Sequence, residues 1–172
     1  QPAQFITRMR GHDYIDKTRE YLNYLEEHLN NVAKAFNELS HACDGKEAWV
    51  GDDFSWWTIK AEVEAHDLSK FSKEEFVQYR DNFFPVRELD KESSDFSAAW
   101  ENHKKENHHH HETAENYVDL VHMVIDWMAM SYKFGDNPRD FYIKTKPTMS
   151  LSDSDHEYVN RLFGHLEDYR SQ

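Results

Sequence analysis

The chain has 172 residues, enough for one domain with a full core and too few for two comfortable ones. Its formal charge of −13 at pH 7, from 33 acidic against 20 basic residues, excludes the clustered cationic surface that nucleic acid or an anionic membrane requires, so a phosphorylated ligand must be small. The single cysteine, Cys43, excludes an internal disulfide and points to a reducing cytosol, and with no apolar run of about 18 residues and no signal-peptide core, neither membrane insertion nor export is expected.

Five glycines and four prolines favour long helices with short connections. Residues 1–11 read as a frayed lead-in. From a cap at Asp13 or Asp16 to about Leu39, the positions Ile15, Leu22, Leu25, Leu29, Val32, Phe36 and Leu39 recur at steps of three and four, the stripe of a long amphipathic helix. His28 lies on the shoulder of that stripe and points inward. Asp44-Gly45 and Gly51 mark a loop, after which Asp52 or Asp53 caps a second helix containing Phe54, Trp57, Ala61 and Val63. This helix runs into His66-Asp67. Ser72-Lys73-Glu74-Glu75 has the spacing of a capping box and opens a third helix through Phe76, Tyr79 and Phe83, stopped by Pro85.

Val86 to Ser94 reads as a charged connection, and Ser93 or Ser94 caps a fourth helix through Phe96, Ala99, Trp100 and His103. The run His108 to His111 then forms a turn; its internal position marks it as native rather than an appended tag. Thr113 to Phe134 is the most apolar helix, with Gly135 as its stop, and Asp126 has no exposed face there. Asn137-Pro138 starts a short helix to about Lys144, and Ser152 to Tyr169 forms a last amphipathic helix. The expected fold class is all-α, one domain over residues 1–172, a bundle of about six or seven helices.

The chemistry concentrates where helices meet. An imidazole and a carboxylate on consecutive residues at a helix end, His66 and Asp67, can share one divalent cation. A carboxylate within an apolar helix, Asp126, costs several kcal/mol unless it is paired, protonated or bound to a metal. With His28 these make two imidazoles and two carboxylates on separate elements, a set suited to Mn²⁺, Fe²⁺, Co²⁺ or Zn²⁺ with positions left for water. His122, one turn before Asp126, is placed either to donate to a ligand or to pack in the core. Lys104, Lys105 and Arg80 read as solvated charges, and His110 and His111 as solvent-facing or adventitious ligands.

The order His28, His66-Asp67, Asp126, with gaps of 38 and 59 residues, resembles the HD-domain superfamily of metal-dependent phosphohydrolases over roughly Asp13 to Phe134. HDLSKFSKEEF at 66–76, AWENHKKENHH at 99–109 and DWMAMSYKFGD at 126–136 look like a narrower group of small bacterial and phage proteins without an assigned reaction. The resemblance implies an HD-like helical domain with a metal held by His28, His66, Asp67 and Asp126. Monophosphatase branches usually carry a Glu a turn after the His-Asp pair, where this chain has Lys70. His-Asp-x-x-Lys is instead like the dinuclear branches, which include cyclic dinucleotide phosphodiesterases and di-iron oxygenases and add two histidines for a second metal. Here those would be His103 and His108 or His109.

The expected function is therefore hydrolysis of a small nucleotide or other phosphomonoester by metal-activated water. Asp67 would orient or deprotonate that water, and Lys70 would neutralise a phosphate oxygen. A di-iron oxygenase and a non-catalytic metal-binding interaction module are the alternatives, and the sequence leaves the oligomeric state open.

Overall fold

The computed structural model describes residues 7–44, 46 and 56–172. Among these, eight α-helices and two short 3-10 turns account for the regular structure, with no strand, so the chain is an all-α bundle. In order they are α1 Arg10–Ala42, α2 Trp56–Glu64, the turn Leu68–Phe71, α3 Phe76–Phe83, α4 Glu88–Glu92, α5 Phe96–Glu106, α6 Tyr117–Phe134, α7 Pro138–Thr145, the turn Lys146–Thr148 and α8 Asp153–Arg170. None of the helices described is long and apolar enough to cross a membrane.

The most apolar helix is also the centre. α6 buries Leu120, Val121, Val124, Ile125, Met128 and Ala129 and packs against α1, α2, α7 and α8. Its start is capped by the Asn116 side chain, which accepts from the Asp119 amide at 3.0 Å, and Gly135 ends it in the left-handed region at φ 72°. α8 begins with a complete capping box between Ser152 and Asp155 and buries Tyr158, Val159, Leu162, Phe163 and Leu166. Cys43 is packed into this core, where burial pushes its thiol up to about 12.

A smaller apolar cluster joins Tyr21, Leu25, Tyr79 and Ala99 from α1, α3 and α5. Along α1 the side chains of this cluster come first, then His28, then Val32, Ala35 and Leu39 of the main core. His28 thus sits at the seam between two apolar bodies.

Several elements differ from the sequence reading. The buried face of α1 is Tyr21, Leu25, His28, Val32, Ala35, Leu39 and Ala42, a seam with alternating steps of four and three. Ile15, Leu22 and Leu29 of the expected stripe remain exposed. The interface takes Ala and His where a neighbouring helix approaches closely, so the largest aliphatics did not mark its centre. α1 begins at Arg10, ahead of the expected caps. Ser72 does not cap a helix: its hydroxyl turns back to the Ser69 carbonyl, and α3 starts four residues later with Glu75 as N-cap. The charged connection contains α4, held by Arg87 donating to Asp90. Asp95, in the left-handed region at φ 52°, precedes α5 in place of Ser93 or Ser94. The expected caps Asp52 and Asp53, with Phe54, Gly45, Gly51 and residues 1–6 of the lead-in, lie outside the described residues.

This placement separates two leucines of the same helix. Leu25→Ala should cost about 2–5 kcal/mol in urea denaturation and Leu29→Ala about 1 kcal/mol or less, because the first is 4% exposed and the second 38%.

Candidate metal centre

Asp67 follows the end of α2 and adopts φ 55°, the left-handed region that Asp tolerates better than most side chains. The consequence is geometric: two neighbouring side chains that would diverge on a helix turn toward one point. His28 reaches that point from mid-α1, Asp126 from mid-α6, and Lys70 from the 3-10 turn.

His28 Nε2 lies 3.0 Å from Asp126 Oδ1 and 3.1 Å from His66 Nε2. His66 Nε2 lies 3.2 Å from both Asp126 Oδ1 and Asp67 Oδ2, and His28 Nε2 is 4.0 Å from Asp67 Oδ2. Donors about 2.1 Å from a common ion stand about 3–3.5 Å from one another, so all of these separations except that between His28 and Asp67 suit a ligand set. The four expected residues are therefore brought together.

The other oxygen of Asp67 faces a second group. Oδ1 is 3.2 Å from His103 Nε2 and 3.3 Å from His109 Nε2, with a nitrogen of His110 in the same cluster, all within 4.8 Å of one another. Neither short contact has hydrogen-bond geometry. Asp67 Oδ1, His109 Nε2 and His110 Nε2 are each buried without a hydrogen-bond partner among the described residues. Orphaned acceptors converging on one spot are costly, and a cation between them removes the cost.

The supporting contacts prepare these nitrogens. Glu75 is fully buried and accepts from His103 Nδ1 at 2.7 Å and from Asn102 Nδ2 at 2.8 Å, which frees His103 Nε2 as a lone-pair donor. His66 Nδ1 meets His122 Nε2 at 2.7 Å, which likewise leaves His66 Nε2 for the centre. Glu75 escaped the sequence reading, which placed it in a capping box. The signal was there in its spacing, since a Glu eight residues after Asp67 returns to the same end of the bundle once the intervening chain is a tight turn.

His108 is not part of the cluster: its Nε2 donates to the Lys105 carbonyl at 3.1 Å and its side chain is 41% exposed. His110, expected in solvent, turns inward instead. The turn closes when the Thr113 and Ala114 amides donate to the His110 carbonyl, and the adjacent His109 and His110 both face the cluster while His108 and His111 flank it. His111 stays outside, accepting from the Ser150 amide at 3.0 Å. Lys70, expected to face a phosphate, donates to Asp67 Oδ2 at 3.1 Å.

The electrostatics follow from burial. Three carboxylates, Asp67, Glu75 and Asp126, face one ammonium, Lys70. Burial resists ionising Asp67 and Asp126, but His66 and Lys70 hold Asp67, and His28 and His66 hold Asp126, well below the usual carboxylate range. Burial equally resists charging His66, yet the two carboxylates outweigh it and push the imidazole up to about 9. Burial lowers His109, His110 and His122, so these stay neutral and able to donate a lone pair. A cleft of about 340 Å³ reaches Asp126 and His110 between walls of Trp100, Trp127, Met130 and Phe134, with no Lys or Arg along it. Asp126 keeps 19% of its side chain exposed there.

A family model described as "Family of unknown function (DUF5662)" matches residues 17–165. The chain belongs to this family. The matched DUF5662 span takes in every residue of the cluster, from His28 to Asp126. No curated protein and no solved structure matches the chain.

The buried His and Asp groups of this DUF5662 chain could hold a metal ion on each side of Asp67. After metal loading, mass spectrometry should find two ions per chain, one in His103→Ala, and two in His108→Ala. Ion binding must displace a proton from His66. That imidazole is stabilised by the fold fully below its unfolded value of about 6.5 and loses the stabilisation as pH rises through about 9. Metal uptake at pH 7 should therefore release protons into weakly buffered solution, and affinity should rise from pH 6 to 9.

Proposed function

We propose that this protein is a dinuclear metal-dependent phosphohydrolase of the HD-domain type, acting on a small nucleotide or other phosphomonoester. The observation that carries the reading is the division of Asp67: Oδ2 belongs to the set with His28, His66 and Asp126, and Oδ1 to the set with His103, His109 and His110. A carboxylate shared in this way suits two ions a few ångströms apart. Such ions, when bound, lower the pKa of water toward neutrality and polarise a phosphoryl oxygen.

The side chains divide the remaining work. With both Asp67 oxygens facing imidazoles, Asp67 would help hold both ions, and the water-orienting role expected there would fall to Asp126. That residue meets the imidazoles of His28 and His66 through Oδ1 and lines the cleft, leaving Oδ2 to orient a water. Glu75 and His122 fix the tautomers of His103 and His66. Lys70 balances the charge of Asp67. The apolar cleft walls exclude bulk water and strengthen every charge interaction inside.

Five imidazoles and two carboxylates around a shared Asp67 also suit two irons, and the apolar cleft favours a di-iron oxygenase as the second reading. The deciding experiment assays protein loaded with Mn²⁺ or with Fe²⁺ against a panel of nucleotides and phosphomonoesters, with oxygen uptake followed in parallel. Phosphate release supports the hydrolase, and oxygen consumption with a change in iron absorbance supports the oxygenase. Full metal occupancy with neither signal leaves the non-catalytic module. Asp67→Asn should lower turnover by more than about a thousandfold while far-ultraviolet circular dichroism stays unchanged.

A further inference from the structure

A second pocket, of about 280 Å³, adjoins the centre at Lys70 and is lined by Tyr21, Tyr24, Lys70, Tyr79, Phe83 and Phe84. Its character is opposite to that of the first cleft: it has phenols and an ammonium, and no carboxylate. Tyr21 and Tyr79 are almost wholly buried, and the hydroxyl of each lacks a hydrogen-bond partner among the described residues. Two such orphans at one pocket destabilise the protein by itself. Neither ring is free to swing out to water. Tyr21 is held against Phe76 at 5.2 Å and Phe84 at 5.8 Å, and Tyr79 stands edge-on to Phe96 at 5.1 Å. Lys70 forms the wall shared with the centre, its Nζ 3.1 Å from Asp67 Oδ2 and 5.3 Å from the Tyr79 ring centroid.

We infer that this pocket is an oxyanion subsite of the Asp67 centre, where Tyr21, Tyr79 and Lys70 hold the phosphoryl oxygens of a small substrate. The inference rests on the reading of that centre as the reaction site. A tetrahedral phosphoryl group spreads up to two negative charges over several oxygens around which two hydroxyls and an ammonium can be arranged, where a planar carboxylate brings one charge and two oxygens. Burial raises the pKa of both phenols, so each keeps its proton and donates. The pocket lining itself has no carboxylate, and Lys70 offsets the Asp67 and Glu75 charges felt at both phenols. The small volume and the Tyr24, Phe83 and Phe84 walls select a compact phosphomonoester over a dinucleotide.

The test titrates inorganic phosphate and, separately, acetate into wild type, Tyr21→Phe and Tyr79→Phe, each with and without loaded metal, with metal content measured on every sample. Each Phe variant should bind phosphate about tenfold more weakly at unchanged metal content. Each should also melt higher than wild type in the absence of phosphate, because an unpaired buried hydroxyl has gone. Acetate should bind more weakly than phosphate throughout. Phosphate affinity unchanged in both variants, acetate binding as tightly as phosphate, or Phe variants that melt lower than wild type would each overturn the subsite. Loss of the tyrosine effect with metal still bound rejects the subsite alone. A tyrosine effect in a chain that takes up no metal keeps the subsite and rejects the dinuclear centre.

Discussion

Negative charge held away from water is the constraint around which this bundle is arranged. Asp67, Glu75 and Asp126 lie within one small volume and face a single ammonium. Removing a carboxylate from water costs several kcal/mol even after relaxation, so three of them persist only with compensation on every side. The chain supplies it from many elements: imidazoles from α1, α5 and two turns, Lys70, and the Asn102 amide. Three negative charges against Lys70 leave two uncompensated; a proton on His66 removes one of them, and the other still calls for a cation.

Holding those charges in register needs rigid supports, and the two apolar clusters provide them. The main core around α6 fixes Asp126 and His122, while the smaller cluster of Tyr21, Leu25, Tyr79 and Ala99 fixes the α1–α3–α5 side. The centre occupies the seam, so a small shift of one body against the other would spoil the ligand distances before it exposed much apolar surface. Two openings meet the seam. One is acidic and aromatic at Asp126, the other phenolic and cationic at Lys70, and this polarity gives the site a direction.

Much of this was legible in the residues. The helices of the C-terminal half announce themselves through Gly135, Asn137-Pro138 and Ser152, whose capping chemistry is local and survives folding unchanged, although the start expected at Thr113 falls at Tyr117 behind the Asn116 cap. His28, His66, Asp67 and Asp126 stood out because polar groups at apolar positions demand a partner. What could not be read was direction. Leu22 and Leu29 look like core and face solvent, because the inward side of α1 is set by how closely α6 approaches. Among four consecutive histidines, which two turn inward depends on the tightness of one turn, a feature with no periodic signature. Glu75 and the orphaned hydroxyls of Tyr21 and Tyr79 become meaningful only once distant segments meet.

The left-handed backbone of Asp67 has an evolutionary corollary. Position 67 is restrained twice, by the imidazoles and the ammonium its oxygens face and by a torsion angle that β-branched and bulky side chains adopt only under strain. Asparagine alone meets the second requirement, keeps the shape and sheds the charge. A lineage that lost the need for charge at this centre while keeping the bundle would drift most easily to asparagine here.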